Sequence, residues 1–275
     1  PHFLAMTATP IPRTLALTAF GHHDLSVLLQ KPGNRKRIET RVVAPKDRKT
    51  VELFIDQQIA EGRQVFVICP LIGASEAEEM QEVKNVTEEC KRLQQSFPRR
   101  SVAMLHGKLT PQEKEDIMRT FKERNADILV STSVIEVGID VPNASIIIIE
   151  GSERFGLAQL HQFRGRVGRG DHQSYCFLFT TDPAQAHSPR LKAMEQHDSG
   201  FQLAEIDLKL RGPGEMFGVR QSGVPEFRFG SLLNVELVLR ARRAAERFLG
   251  LKNVETRGLP VRSPPQWTKA GARVS

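Results

Sequence analysis

The sequence predicts a doubly wound α/β domain on a parallel sheet, followed by a smaller, mainly helical unit. Three observations carry that expectation. Short apolar runs alternate with stretches of helical period, as in a sheet covered by helices on both faces. The apolar runs are continuous rather than alternating, as in strands buried on both sides. Finally, 275 residues with 40% hydrophobic content are enough for one large core and one smaller one.

The elements come in this order. Residues 1–30 read as the end of an earlier strand-and-helix unit ("MTATPIPRTLALTAFG"), and "KPGNRKR" (31–37) has the proline, glycine and charge of a linker. The α/β domain is expected over 31–185. Its first strand is "TRVVAP" (40–45), and its first helix turns Val51, Phe54, Ile55 and Ile59 to one face before Gly62 closes it. "QVFVICPLI" (64–72) is a buried strand, followed by an acidic loop and a helix to about Phe97. "SVAMLHG" is the next strand. Thr110, Pro111 and Glu113 then supply an N-cap, a first-turn proline and a reciprocal glutamate, opening a helix with Ile117, Met118 and Phe121 on its core side. Strands at 127–132, 145–150 and 174–180 complete the sheet, with a helix from about Leu157 before the last. Beyond it, 186–250 reads as two short helices joined around Ser199 and Gly200, a glycine-rich loop, and a helix near 231–249; 251–275 reads as a disordered tail.

Charge and cysteine usage narrow the class. Lysine and arginine outnumber aspartate and glutamate 39 to 32, for a net charge of +7 and a pI near 9.5, which favours a polyanionic partner. Cys69, Cys90 and Cys176 have no metal-ligand spacing, and the first and last lie in apolar runs typical of buried thiols. A reducing cytoplasm is the expected home, with no metal site. No run has the length of a membrane helix, and no basic-then-apolar signal pattern opens the chain. It begins on Pro1 and reads as a piece of a longer protein.

The densest local signal is "QLHQFRGRVGRG" (159–170), fixed positive charge on little side-chain bulk. Arginine presents planar forked donors that match phosphate oxygens, and glycine lets a backbone come close. Between a helix and a strand, the stretch is expected on the ligand-binding rim of the sheet. Arg166 and Arg169, three apart, would project together from a helical turn. A bare RxxR is also the pattern of a solvated basic loop.

"QFRGRVGR" resembles motif VI of superfamily 2 helicases, "VSTSVIEVGIDVP" (130–142) motif V, "VFVICPL" motif IV, and "MTATPIPRT" motif III with the segment after it. Four segments in family order make the resemblance specific where each alone is weak. It implies a RecA-like fold, the C-terminal motor domain of a P-loop NTPase helicase. It further implies that Arg166 and Arg169 act as arginine fingers on the γ-phosphate of ATP bound with Mg²⁺ against a neighbouring domain, with Gln162 orienting their loop. Gly138 and Asp140 would meet the nucleotide, Asp140 at the ribose, and Thr132 would donate to a nucleic-acid phosphate. Thr7 and Thr9 would link the two sites. His106 would face the nucleic-acid backbone, although a capped core histidine reads equally well, and Ile139 and Val141 could simply be core.

"GFQLAEIDLKLRGPGEMFGVRQSGVPEFRFG" (200–230) resembles the segment after motif VI in the RecG branched-DNA helicases, and the resemblance covers about residues 1–250. It implies a translocation hairpin and loop in which Arg190, Arg211 and Gln221 form a polar coupling network. It also implies branched double-stranded DNA, forks and Holliday junctions, as partner, single-stranded DNA-binding protein as another, and a monomer acting in repair and recombination. The transcription-repair coupling factor shares the element but has alanine and asparagine where this chain has Pro213 and Glu215. Of another class is a basic nucleic-acid-binding module that hydrolyses nothing. The sequence carries neither a GxxxxGK[ST] phosphate loop nor a DExx box, which in the family lie upstream, so this chain alone is expected to hydrolyse no ATP.

Overall fold

A computed structural model describes residues 6, 36–70, 76–132, 141–211 and the positions 240, 244, 247 and 248. Six parallel strands form one sheet in the order β1-β6-β5-β2-β4-β3. They are β1 (Glu39–Val43), β2 (Gln64–Ile68), β3 (Val102–Leu105), β4 (Ile128–Ser131), β5 (Ala144–Ile149) and β6 (Tyr175–Phe179). Each lies within its expected segment or one residue outside it. β2 stops short of the expected 64–72 because Pro70 cannot donate to a ladder. Within the described residues the helices are α1 (Arg48–Ala60), α2 (Glu76–Ser96), α3 (Pro111–Lys122), α4 (Leu157–Arg164), α5 (Pro189–Gln196) and α6 (Gly200–Arg211).

Both faces of the sheet are buried, with side chains alternating between them along each strand. On one face Val65, Val67, Ile146, Ile148, Phe177 and Phe179 meet Ile55 and Ile59 of α1 and Val86 and Leu93 of α2. On the other, Phe66, Ile68, Ile147, Ile149 and Leu178 meet Phe121 of α3, Leu160 and Phe163 of α4 and Leu191 of α5. Phe66 and Phe121 are fully buried with ring centroids 5.2 Å apart. The capping box at α3 forms as expected: the Thr110 hydroxyl accepts from the Glu113 amide at 3.3 Å, and the Glu113 carboxylate accepts from the Thr110 amide at 2.7 Å. Cys69 and Cys176 are buried, and burial pushes the Cys176 thiol up to about 12. None of the helices among the described residues is long and apolar enough to cross a membrane.

Polar groups close the core at the carboxyl ends of the strands. Arg48, the first residue of α1, donates to both oxygens of Glu150 at 2.8 and 2.6 Å and stacks 4.3 Å over the Phe179 ring. Arg92 of α2 reaches Glu52 and Glu89 at 2.6 Å each, and Glu150 at 3.6 Å. Three carboxylates thus share two guanidiniums. Burial works against the charge on Arg48, yet the Glu150 carboxylate outweighs it and raises the pKa. Burial also pushes the Glu89 carboxyl above the usual carboxylate range, against the pull of Arg92. At the amino ends a buried amide does related work: Gln64 Nε2 donates to the carbonyls of Phe121 and Ala126 at 2.6 and 2.8 Å, and its Oε1 accepts from Asn143 at 3.1 Å.

Phe66→Ala should cost about 3–5 kcal/mol of unfolding free energy, read from urea denaturation, because it opens a cavity between two packed layers. Glu89 binds its proton more tightly folded than unfolded. The stability it contributes is therefore present below its unfolded value of about 4.3 and is lost as pH rises through the raised folded value. Over that range the urea midpoint should fall less steeply with pH in Glu89→Gln than in the unaltered chain; equal slopes would remove Glu89 as the cause.

Candidate functional site

The arginine loop begins where α4 ends. After β5 the chain passes through a 3₁₀ turn at Ser152–Arg154 and enters α4, which buries Leu157, Leu160 and Phe163 against the sheet. Phe163 meets Phe155 edge to face at 5.3 Å. Since α4 starts at the carboxyl end of β5 and its loop leads into the start of β6, Arg166 and Arg169 stand at the amino-terminal rim. The sequence leads one to expect the stretch on the ligand-binding rim of the sheet; the general rule for open α/β sheets puts ligands at the carboxyl rim, and the crossover puts this loop at the other one. The shared helical turn is corrected as well. α4 stops at Arg164, and Gly168 takes φ +79° between the two arginines, a left-handed conformation that breaks the helical spacing.

The loop glycines serve the chain's own packing. A Cβ at Gly168 would stand 3.0 Å from Cδ1 and Cγ1 of Ile38, and one at Gly170 would stand 2.6 Å from the carbonyl oxygen of Pro142. Val167, 2% exposed, pins the loop from below. Arg166 and Arg169 are half-buried. Beside them a hollow of about 330 Å³ is lined by Lys36, Arg37, His161, Gly165 and Asp198, among others. Two guanidiniums on a close-packed loop next to a basic hollow fit an anionic ligand such as a phosphate chain.

Arg164, the third arginine of the stretch, does something else. It is 3% exposed, and its guanidinium donates to the carbonyls of Met194 (2.9 Å), His197 (3.0 Å) and Asp198 (3.2 Å), which end α5 and lead into α6. Burial pulls its pKa below the ordinary arginine value. Sequence reasoning passed over this residue, although its position four after Leu160 and seven after Leu157 puts it on the apolar face of α4. Asp198, Glu195 and Ile38 carried no signal in the sequence, because their partners are distant along the chain.

The other expected residues divide between the rims. Gln162 lies in the last turn of α4, half-buried, just before the arginine loop. His106, half-buried, comes after β3 and Thr132 after β4, both at the carboxyl rim and so at the far end of the sheet from Arg166 and Arg169. Nδ1 of His106 is buried without a hydrogen-bond partner. Thr132 is fully buried, its hydroxyl without a partner, and so in this arrangement it does not present a donor at the surface. Arg190, in the first turn of α5, donates through Nη2 to the Glu153 carbonyl. Arg211 is the last residue of α6. Thr7, Thr9, Gly138, Asp140 and Gln221, with Pro213 and Glu215, lie outside the described residues. Among the described residues no group of three or more His, Cys, Asp or Glu could hold a metal ion.

Comparison with known proteins adds to this geometry. Residues 46–171 match the helicase conserved C-terminal domain, and residues 197–253 match the C-terminal part of domain 3 of the ATP-dependent DNA helicase RecG. The chain is 49% identical over 251 residues to the ATP-dependent DNA helicase RecG of Synechocystis sp., covering 90% of this chain and 30% of that protein. Against RecG of Streptococcus pneumoniae serotype 4 the identity is 47%, over 90% of this chain and 37% of the relative. The chain thus spans about a third of the length of these relatives. A solved structure of RecG bound to a three-way DNA junction superposes with a TM-score of 0.64 at 40% identity, covering 87% of this chain and 30% of that one. With a RecA-like parallel sheet and domain models that succeed one another along the chain in that order, this polypeptide belongs to the RecG family of DNA helicases.

Proposed function

We propose that the chain is one half of an ATP-driven motor that remodels branched DNA, stalled forks and Holliday junctions among them, within a longer helicase. One observation carries the reading: Arg166 and Arg169 stand half-buried on a tightly packed loop at the amino rim, beside a basic hollow. The three-way junction held by the structurally similar RecG supports the branched substrate.

In this reading ATP supplies the transferable γ-phosphate, held with Mg²⁺ mainly by residues outside this chain. Arg166 and Arg169 stabilise the charge that develops on the phosphoryl oxygens, an effect worth roughly 10³ or more in rate for arginine fingers generally. They do so only when the partner half closes on this rim, which makes hydrolysis conditional on domain movement. Gln162, one turn before the loop, orients it, and Gly138 and Asp140 approach the nucleotide from the segment after β4. His106 and Thr132 belong to the opposite rim and are assigned to the DNA side, with Thr7 and Thr9 linking the two; a hydroxyl buried as that of Thr132 is has to be uncovered before it can donate to a phosphate. Arg190, Arg211 and Gln221 couple motor closure to translocation.

Steady-state ATP hydrolysis by the chain alone, with and without a model fork at low salt, should give no turnover and weak, salt-dependent DNA binding. Fork-stimulated turnover would overturn the half-motor reading, and turnover-free binding that also survives in the longer protein would favour a non-catalytic module. In a polypeptide that also carries the phosphate loop, Arg169→Ala should lower turnover by about 10³ while leaving fork binding nearly unchanged; equal loss of binding would move Arg169 to the DNA surface. There too, Gln221→Ala should leave hydrolysis running while branch movement stops, measured as ATP consumed per junction resolved.

A further inference from the structure

Of the three arginines in the loop stretch, the proposed function uses two. The third, Arg164, is buried at a joint between three parts of the chain that are far apart in sequence. Its fork ends on three carbonyls at the end of α5 and the lead into α6, and its Nη1 lies 3.9 Å from Asp198 Oδ1. The other oxygen of Asp198 pairs with Arg37 Nε at 2.8 Å, and Arg37 also reaches the Glu195 carbonyl at 3.3 Å. The carbonyl of Arg37 accepts from Gln173, at the far end of the arginine loop, at 2.8 Å, and the next residue, Ile38, lies against Gly168. The Glu195 carboxylate accepts from the amide of Val42 on the edge strand β1 at 2.7 Å and from Lys192 at 2.8 Å. The loop is therefore gripped at its start by Arg164, in its middle by Ile38 and at its end by Gln173, and all three grips converge on Arg37 and the α5–α6 junction.

We propose that Arg164 is a positioning residue that fixes where α4 ends, and that with Asp198 and Arg37 it sets the stance of Arg166 and Arg169. Its significance rests on the reading of those two arginines as phosphate ligands, but the geometry does not. Two features make arginine specific here. Three carbonyls arranged around one guanidinium need a planar fork with several donors, and a lysine ammonium, a point charge on a flexible stem, meets fewer of them and leaves the rest buried and unpaired. The carbonyls also come from the last turn of α5 and the residues after it, where helix carbonyls lack partners within the helix and carry the negative end of its dipole. A shift of α5 relative to the sheet would move these acceptors, and with them the start of the arginine loop and Arg166, two residues beyond Arg164.

Amide hydrogen exchange on the 275-residue chain tests this without nucleotide or DNA. In Arg164→Lys, the amides of 165–173 should exchange about tenfold faster or more, while those of β2 and β5 keep their protection. In Arg37→Ala, which loses the bonds to Asp198 and the Glu195 carbonyl but keeps the main-chain carbonyl that Gln173 uses, the same loop should loosen to a smaller extent. Loop exchange unchanged in Arg164→Lys would overturn the proposal. So would acceleration spread evenly over the sheet, because that is the mark of a residue that only contributes global stability. If Arg164→Lys does not fold, Asp198→Asn decides by the same reading, since that side chain is about one-third exposed and its loss leaves the carbonyl grip in place. The outcome is independent of the motor assignment: a loop that loosens as expected, together with full turnover in Arg169→Ala of the longer protein, would retain the joint and discard the phosphate role.

Discussion

All six described strands run the same way, so the described helices between them travel back across a face of the sheet, and that constraint decides which residues meet at which rim. A strand delivers its last residues to the carboxyl rim; a returning helix delivers its last residues to the amino rim. Glu150 and Thr132 therefore end up together with the start of α1, whereas Arg166 and Arg169, arriving on α4, end up with the residues that precede β1 and β5. The separation of an arginine-rich rim from a rim bearing His106 and Thr132 is thus a product of chain direction, not of local preference.

The two rims are closed by different chemistry. At the carboxyl rim, charge is spread over Arg48, Arg92 and three carboxylates that sit between α1, α2 and β5, a network whose members depend on one another because a buried charge without a partner is costly. At the amino rim, neutral groups do most of the work: Gln64 ties α3, the lead into β4 and Asn143 with amide hydrogen bonds, and the Arg164 guanidinium hydrogen-bonds to carbonyls, with the Asp198 carboxylate no nearer than 3.9 Å. The amino rim also gathers Lys36 and Arg37, the latter paired with Asp198, beside the loop that carries Arg166 and Arg169.

Much of the fold was legible because its signals are local. Apolar runs such as 64–69 and 144–149 and the Thr110–Glu113 capping box need no knowledge of partners, and the described strands and helices fall where these signals put them. The site was legible as composition, three arginines among glycines, but not as geometry. Which rim the loop occupies depends on the direction of α4, and the room for a side chain at Gly168, between Arg166 and Arg169, is limited by Ile38, more than a hundred residues earlier. Arg164 was missed for a related reason: its charge suggested solvent or phosphate, while its place in the helical period of Leu157 and Leu160 put it on the buried face. Where charge and period conflict, the carbonyls at the end of α5 resolve the conflict, and a reading of α4 alone does not contain them.

The two close glycine contacts differ in kind, and the difference bears on how the loop can evolve. Gly168 faces a side chain, so a larger residue there could be tolerated in a lineage that also shortened position 38, apart from the strain of its positive φ. Gly170 faces a main-chain oxygen, that of Pro142, which no substitution can trim. Drift at 168 therefore has an escape through covariation, whereas drift at 170 has none, and the loop carries one negotiable position and one fixed by the backbone of another segment.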